Sequence, residues 1–243
     1  MNLFVSETYE SMSSKAAEAV MRLISAKKKP VLCPASGDSP AGLYKELIEE
    51  IRKNKTDVSS FYFIGLDEWL GMNGNDEGSC RYHLNNQLFH PLKVDEINIA
   101  FFDGRAADPE AECKRIDNSI KEHTGIDIAI VGLGMNGHVG MNEPGTPASL
   151  HSHVAKIDPV TQQVGQKYFK EKKEIAGGLT LGIANLMEAK NVLLIVSGEK
   201  KSQILKQVLE EEISEKIPAS LLRNHPNFSV FLDTYAASLL KNK

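Results

Sequence analysis

The sequence predicts one α/β domain over residues 1–243, with a mostly parallel sheet and helices on both faces in a Rossmann-like, doubly wound arrangement. Two observations predict it. Short apolar runs of strand type alternate with longer stretches of helical periodicity almost throughout. No linker, internal repeat or low-complexity tract interrupts that alternation. Strands separated by helices imply βαβ units, and such sheets are covered on both faces.

The elements follow in order. Residues 30–35 (PVLCPA) read as a buried strand. Residues 40–53 read as a helix, because Leu43, Tyr44, Leu47, Ile48 and Ile51 recur on one face. FYFIGL (61–66) is the next strand, and a Gly/Asn-rich loop (71–78) leads to a helix near 79–90. INIAFF (97–102) is a strand, and Asp108-Pro109 opens a helix over 108–123. A buried strand at 126–131 runs into a Pro/Gly-rich loop over 134–150. HVAKI (153–157), LTLGI (179–183), NVLLIV (191–196) and NFSVFL (227–232) read as extended. Residues 199–211 read as helix, and a closing helix is expected at 234–241.

Bulk properties exclude several function classes. The net charge of −4 argues against a primary nucleic-acid role, which needs a basic face. No apolar run approaches the roughly 18 residues that span a bilayer, and the N-terminus does not read as a signal peptide. The three cysteines are scattered and odd in number, so a disulfide framework is not expected and a cytoplasmic protein is.

Ligands in doubly wound sheets bind at the carboxyl ends of strands, so the segments after each strand carry the functional reading. Gly132-x-Gly134-x-x-Gly137 follows an apolar run and spells a dinucleotide-binding turn, with Asp158 about 20 residues on. That motif requires a helix starting at the turn. Gly140, Pro144, Gly145 and Pro147 forbid one here, so a nicotinamide cofactor is not expected. The same loop holds Asn136, His138, Asn142 and Glu143; an imidazole with a carboxylate five residues on can perform acid–base work. Ser36-Gly37-Asp38-Ser39-Pro40 joins a strand to a helix N-terminus and suits a phosphate. Its plainer reading is a helix start with Ser39 as cap and Pro40 in the first turn. Asp38 is an awkward neighbour for an anion and is expected to point away. Asp67 and Glu68 in LDEW lie on an extended segment, so their side chains point to opposite sides and can have different pKa values. Lys201 sits near a helix start, where a cation opposes the dipole, which suggests a ligand. Lys167 is uninformative by position alone. His151 and His153 share a strand face but lack a third metal ligand.

Together the strings Ser36–Pro40, Leu66–Trp69, Gly132–Pro144 and Gly198–Lys201 resemble the hexosamine-6-phosphate deaminase/isomerase family, in its order and over nearly the whole chain. The resemblance implies conversion of an amino-sugar 6-phosphate into a ketose 6-phosphate and ammonia, with no organic cofactor and no metal. It implies that Asp67 moves the proton between C2 and C1. His138 opens the sugar ring with help from Glu143, and Glu68 is a supporting carboxylate at the substrate. Ser36, Gly37, Asp38 and Ser39, with Lys201 and Lys167, hold the phosphate. The expected partner is a small sugar phosphate, with neither nucleic acid nor membrane. A homo-oligomer and a monomer are both compatible with the resemblance.

Three departures from the family pattern stand out. Asn136 replaces an aspartate found in many members; an amide cannot be a general acid or base, so hydrogen bonding to His138 is its expected part. Lys167 replaces an arginine, and Leu150-His151-Ser152 replaces a Ser-Arg-Thr string, which weakens an allosteric reading. LDEW, NGHVGMNEPG, His153 with Ile157-Asp158, and Thr161-Gln162-Gln163 look closer to the galactosamine-6-phosphate branch. Two other readings are weighed against this one. A 6-phosphogluconolactonase needs no carbon-acid base such as Asp67, and Asn142-Glu143-Pro144 is unlike its pattern. A sugar-phosphate sensor would carry a DNA-binding module, whereas Asn2–Ser6 is expected to enter the sheet at once.

Overall fold

The computed structural model describes residues 1–175 and 177–241. A parallel sheet of seven strands forms its centre. In sheet order these are β1 (Asn2–Ser6), β10 (Phe228–Asp233), β9 (Val192–Val196), β6 (Ile128–Gly132), β2 (Val31–Pro34), β3 (Tyr62–Ile64) and β5 (Ile99–Ala100). Every neighbouring pair is parallel. The interior strands are buried along most of their length, which explains their continuous apolar spelling. From β2 the chain steps outward to β3 and β5, then returns to β6 and proceeds through β9 to β10. The strand order therefore reverses between β2 and β6, where a doubly wound sheet opens its ligand crevice. Two hydrophobic layers cover the faces, one around Val131, Leu194 and Phe228 and one around Tyr44, Phe63 and Ile195.

The helices are α1 (Tyr9–Ser25), α2 (Asp38–Lys53), α3 (Cys80–Leu84), α4 (His90–Leu92), α5 (Pro109–Glu122), α6 (Pro159–Gly165), α7 (Ile183–Glu188) and α8 (Ser202–Glu210). A second, antiparallel sheet of β4 (Asp67–Trp69), β8 (Gly177–Thr180) and β7 (His153–Lys156) caps one end of the crevice.

Several expectations are corrected. LDEW does not end a parallel strand: β3 stops at Ile64, and Gly65 packs so close to the Phe101 ring that a Cβ would stand 2.6 Å from it. The chain then crosses to the antiparallel sheet. The expected helix 79–90 is divided, with a widened π-type turn at Asn85–Phe89. Pro91 lies one turn on; it lacks an N–H and crowds the carbonyl four residues back, which a regular helix cannot accommodate. Strand 97–102 shrinks to Ile99–Ala100, because Asp95 caps a 3₁₀ turn over Glu96–Asn98. LTLGI is strand only to Thr180, and α7 begins at Ile183. Residues 234–241 do not form the closing helix. The Asp233 carboxylate takes the Ala236 N–H, and the chain proceeds through successive turns. Helix α1 has no counterpart in the sequence reading, although Thr8 and Ser11 form a reciprocal capping box at its start.

Candidate active site

Three of the parallel strands end at one cavity of about 890 Å³. Ser36–Pro40 follows β2, Leu133–Gly134 and His138 follow β6, and Ser197–Lys201 follow β9. The antiparallel sheet adds Asp67 and Trp69, and α6 with the turn after it adds Thr161, Lys167 and Tyr168. These are the segments at the strand-order reversal.

The loop after β6 stages an imidazole. Gly134 lies flat against the His138 ring, and a Cβ there would come within 2.3 Å of it. Gly137 turns the chain at φ +86, and its missing Cβ leaves room for Ile217. Asn136 stands between His138 and Glu143. Its Nδ2 donates to Glu143 Oε2 at 2.7 Å, and its Oδ1 lies 2.7 Å from His138 Nδ1. A carboxylate only accepts, so the amide must turn its NH₂ to Glu143 and its oxygen to the imidazole. Nδ1 therefore carries the proton, and Nε2 is left as the basic nitrogen of the neutral ring. Thr161 Oγ1 lies 3.1 Å from the same Nδ1, and Glu143 Oε2 lies 3.5 Å away. Burial pushes the Glu143 carboxyl up, but hydrogen bonding and charge from His138, with bonds from Thr161 and Asn136, outweigh it and leave it below the ordinary value. Its other oxygen, Oε1, is buried without a partner among the described residues.

The Asp-Glu pair divides as alternation requires. Asp67 faces the cavity and is 9% exposed. Burial pushes its carboxyl up to about 6, opposed by a hydrogen bond from Cys80 and by the His138 charge. Glu68 faces away and is fully buried. It accepts the N–H groups of Trp69 and Cys80 on Oε1 at 2.8 and 3.0 Å, and that of Arg81 on Oε2 at 3.1 Å. Burial pushes Glu68 up to about 7 against those three bonds. Glu68 is not among the residues lining the cavity. The expectation of substrate contact is therefore corrected to support: Glu68 fastens the start of α3 to the strand that carries Asp67.

The cavity also carries a cationic wall. Helix α2 begins at Asp38, two residues earlier than its apolar face suggests, with Gly37 at φ +121 as its cap residue. Ser39 thus lies inside the first turn, which overturns its reading as the cap. Ser36, Gly37 and Ser39 present polar atoms and backbone to the cavity at the positive end of a sixteen-residue helix. Lys201 donates to the Leu133 carbonyl. Burial, then the charge of Lys167, lowers its ammonium to about 8. Lys167 reaches in from the turn after α6 and pairs with the Asp38 carboxylate; Asp38 lines the cavity and does not point away as expected, and Lys167 offsets its charge. Gly198 is fixed by Asp233, which accepts its N–H and the Ser197 hydroxyl.

The structure thus gathers Ser36, Gly37, Asp38, Ser39, Asp67, His138, Lys167 and Lys201 around one cavity, with Asn136 and Glu143 behind His138. His151 and His153 take no part; each imidazole hydrogen-bonds elsewhere, to Glu188 and to the His151 carbonyl. Thr161, Cys80 and Tyr168 were not singled out as site residues from sequence. Asp158-Pro159 is a legible helix start, and it would have placed Thr161 on the first turn of a helix.

Comparison with known proteins agrees with this geometry. The family described as glucosamine-6-phosphate isomerases/6-phosphogluconolactonase matches residues 5–230. A glucosamine-6-phosphate deaminase of Bacillus velezensis is 37% identical over 98% of this chain and 99% of its own. A solved monomeric glucosamine-6-phosphate deaminase superposes with a TM-score of 0.95 at 33% identity, covering 98% of this chain and all of the other. The 6-phosphogluconolactonase of Trypanosoma brucei shares the fold at a TM-score of 0.77 but only 20% of the sequence, over 98% of each chain. The chain belongs to the hexosamine-6-phosphate deaminase/isomerase family.

Proposed function

We propose that the protein isomerises and deaminates a hexosamine 6-phosphate, giving a ketose 6-phosphate and ammonia. The observation that carries this reading is the meeting of acid–base groups and anion-binding groups in one cavity. A buried carboxylate with no lysine or arginine paired to it among the described residues, a basic imidazole nitrogen, a helix N-terminus and two lysines line that one cavity. In this reading the ester oxygens accept from the first turn of α2, Ser36, Ser39, Lys201 and Lys167. Phosphate binding releases Lys167 from Asp38. His138 Nε2 takes the proton of the anomeric hydroxyl and returns one to the ring oxygen, so the ring opens to the aldehyde. Glu143 stabilises the transient imidazolium across Asn136. Asp67 then removes the proton on C2 and delivers it to C1. As one amine proton passes to O1, the product is a C2 imine with a C1 hydroxyl, and addition of water with loss of ammonia leaves the ketose. The burial that raises Asp67 also strengthens it as a base toward a carbon acid.

Galactosamine 6-phosphate is the favoured substrate and its glucosamine epimer the second. Of the strings that resemble the galactosamine branch, Trp69 and Thr161 contribute cavity walls, and Thr161 touches His138. The test is a side-by-side comparison of kcat/KM for the two hexosamine 6-phosphates by ammonia release, with 6-phosphogluconolactone as a third substrate. Faster turnover of the galacto epimer supports the full proposal. Faster turnover of the gluco epimer removes the branch preference and keeps the reaction. Lactone hydrolysis without ammonia release from either amino sugar overturns both.

A further inference from the structure

The first turn of α2 is braced from outside the cavity by a side chain that does not line it. Tyr9 opens α1, and its hydroxyl donates to the Asp38 carbonyl at 2.8 Å and accepts the Gly42 N–H at 2.7 Å. Asp38 and Gly42 are four residues apart, the pair that an α-helix joins directly. A hydroxyl placed on such a pair loosens the turn and redirects its carbonyl and N–H. The neighbourhood is built for this contact. A Cβ on Gly42 would lie 2.8 Å from the Tyr9 ring and 2.4 Å from Ser13 Oγ. Gly42 is therefore the small residue that lets α1 reach the backbone of α2. Tyr44, further along α2, ties down the segment before the helix, donating its buried hydroxyl to the Ala35 carbonyl at 2.7 Å. Burial raises the Tyr9 phenol above its ordinary value, so it stays protonated and keeps its donor.

We infer that Tyr9 is a positioning residue for ester recognition, setting the first turn of α2 so that its N–H groups and Ser39 face the phosphate. Tyr9 does not line the cavity. It acts through the Asp38 carbonyl and the Gly42 N–H, at the turn whose Asp38 carboxylate also holds Lys167. The inference rests on the phosphate reading of Ser36–Pro40.

The test is Tyr9→Phe, which keeps the ring packed against Gly42 and removes only the hydroxyl. The readouts are KM and kcat for the hexosamine 6-phosphate, and the inhibition constant of inorganic phosphate as a competitor. Loss of this hydrogen-bonded bridge is expected to raise KM and the phosphate inhibition constant together by roughly three- to tenfold, with kcat within twofold of wild type. A merely structural role would lower the unfolding temperature without moving the phosphate inhibition constant, and that result overturns the inference. Lys201→Ala runs alongside. If Lys201→Ala weakens phosphate inhibition and Tyr9→Phe does not, the phosphate site stands and the role of Tyr9 falls. If neither variant weakens it, the phosphate lies elsewhere and both readings fall.

Discussion

The two ends of the central sheet each bury a carboxylate, and they treat it in opposite ways. At the amino ends of the strands, Asp127 is 5% exposed and receives Lys27, Lys190 and the Val31 N–H. Burial pushes its carboxyl up, but the two ammonium groups and the backbone donor outweigh burial and hold it below the ordinary value. At the carboxyl ends, Asp67 is buried to a similar degree beside a thiol and an imidazole, with no lysine or arginine paired to it among the described residues, and stands at about 6. The lysines divide in the same way. Asp127 raises the Lys190 ammonium, whereas Lys201 is lowered by burial and the charge of Lys167. One end satisfies its charges internally and joins the strands β2, β6 and β9. The other holds a carboxylate and an ammonium in reserve for a ligand. Strain of that kind is expected at a functional site and costs stability.

The largest predicted effect follows from removing the carboxylate held in reserve. Asp67→Asn should reduce kcat for ammonia release by roughly 10³-fold or more, the scale of a lost general base on a carbon acid, with phosphate inhibition unchanged. Near-normal turnover would remove Asp67 from the role of base. The cation at the same end comes next. Lys201→Ala should raise KM for the 6-phosphate sugar by roughly 10- to 100-fold with a smaller change in kcat, as a lost charge-assisted contact does. In the wild type KM should climb as pH rises through about 8, where the Lys201 ammonium loses its charge. A flat KM from pH 7 to 9 would show that Lys201 does not hold the ester.

The opposite end should respond in stability and leave the chemistry alone. Asp127→Ala leaves the Val31 N–H without its acceptor and two lysines facing each other. A loss of about 1–3 kcal/mol of folding stability is expected, with KM and kcat unchanged below the unfolding temperature. Because the folded-state pKa of Asp127 is lowered, its contribution is present above the ordinary carboxylate pKa and fades as pH falls through the folded value. Denaturant unfolding at pH 7 and at pH 3 measures both points. An equal deficit at the two pH values would show that packing, and not charge, is lost.

The two ends also differed in how far they could be read from sequence. The carboxyl-end loops carry unusual spellings: adjacent carboxylates, a His-x₄-Glu loop and glycines without a helix. Each of those strings lies at the cavity or directly behind it. Asp127 is not legible locally, because one aspartate near a strand start has no signature and its lysines come from positions 27 and 190. The same limit applies within the site. Alternation separated Asp67 from Glu68 correctly, but which of them faces the cavity depends on β4 pairing with β8, more than 100 residues away. The parallel core was legible from its continuously apolar runs, whereas the antiparallel sheet was legible only in part: HVAKI and the start of LTLGI read as extended, but nothing local joins them to LDEW. Its strands are three and four residues long and are defined by their partners more than by their composition. Tyr9 lies beyond local reading for the same reason, since its hydrogen bonds join residues 29 and 33 positions away.

The contrast between the two carboxylates is tested most directly by the unfolding free energy of Asp67→Asn relative to wild type, followed against pH. A carboxylate raised to about 6 in the folded state binds protons that the unfolded chain has already released, so wild-type stability falls as pH rises from about 4 to 6. The cavity admits water and moderates that cost. The variant is therefore predicted to be more stable than wild type at pH 7.5 by about 1–3 kcal/mol, with the gain vanishing near pH 4. A variant less stable than wild type at pH 7.5, or a difference that does not change with pH, would contradict the claim that Asp67 is held buried and unpaired for chemistry.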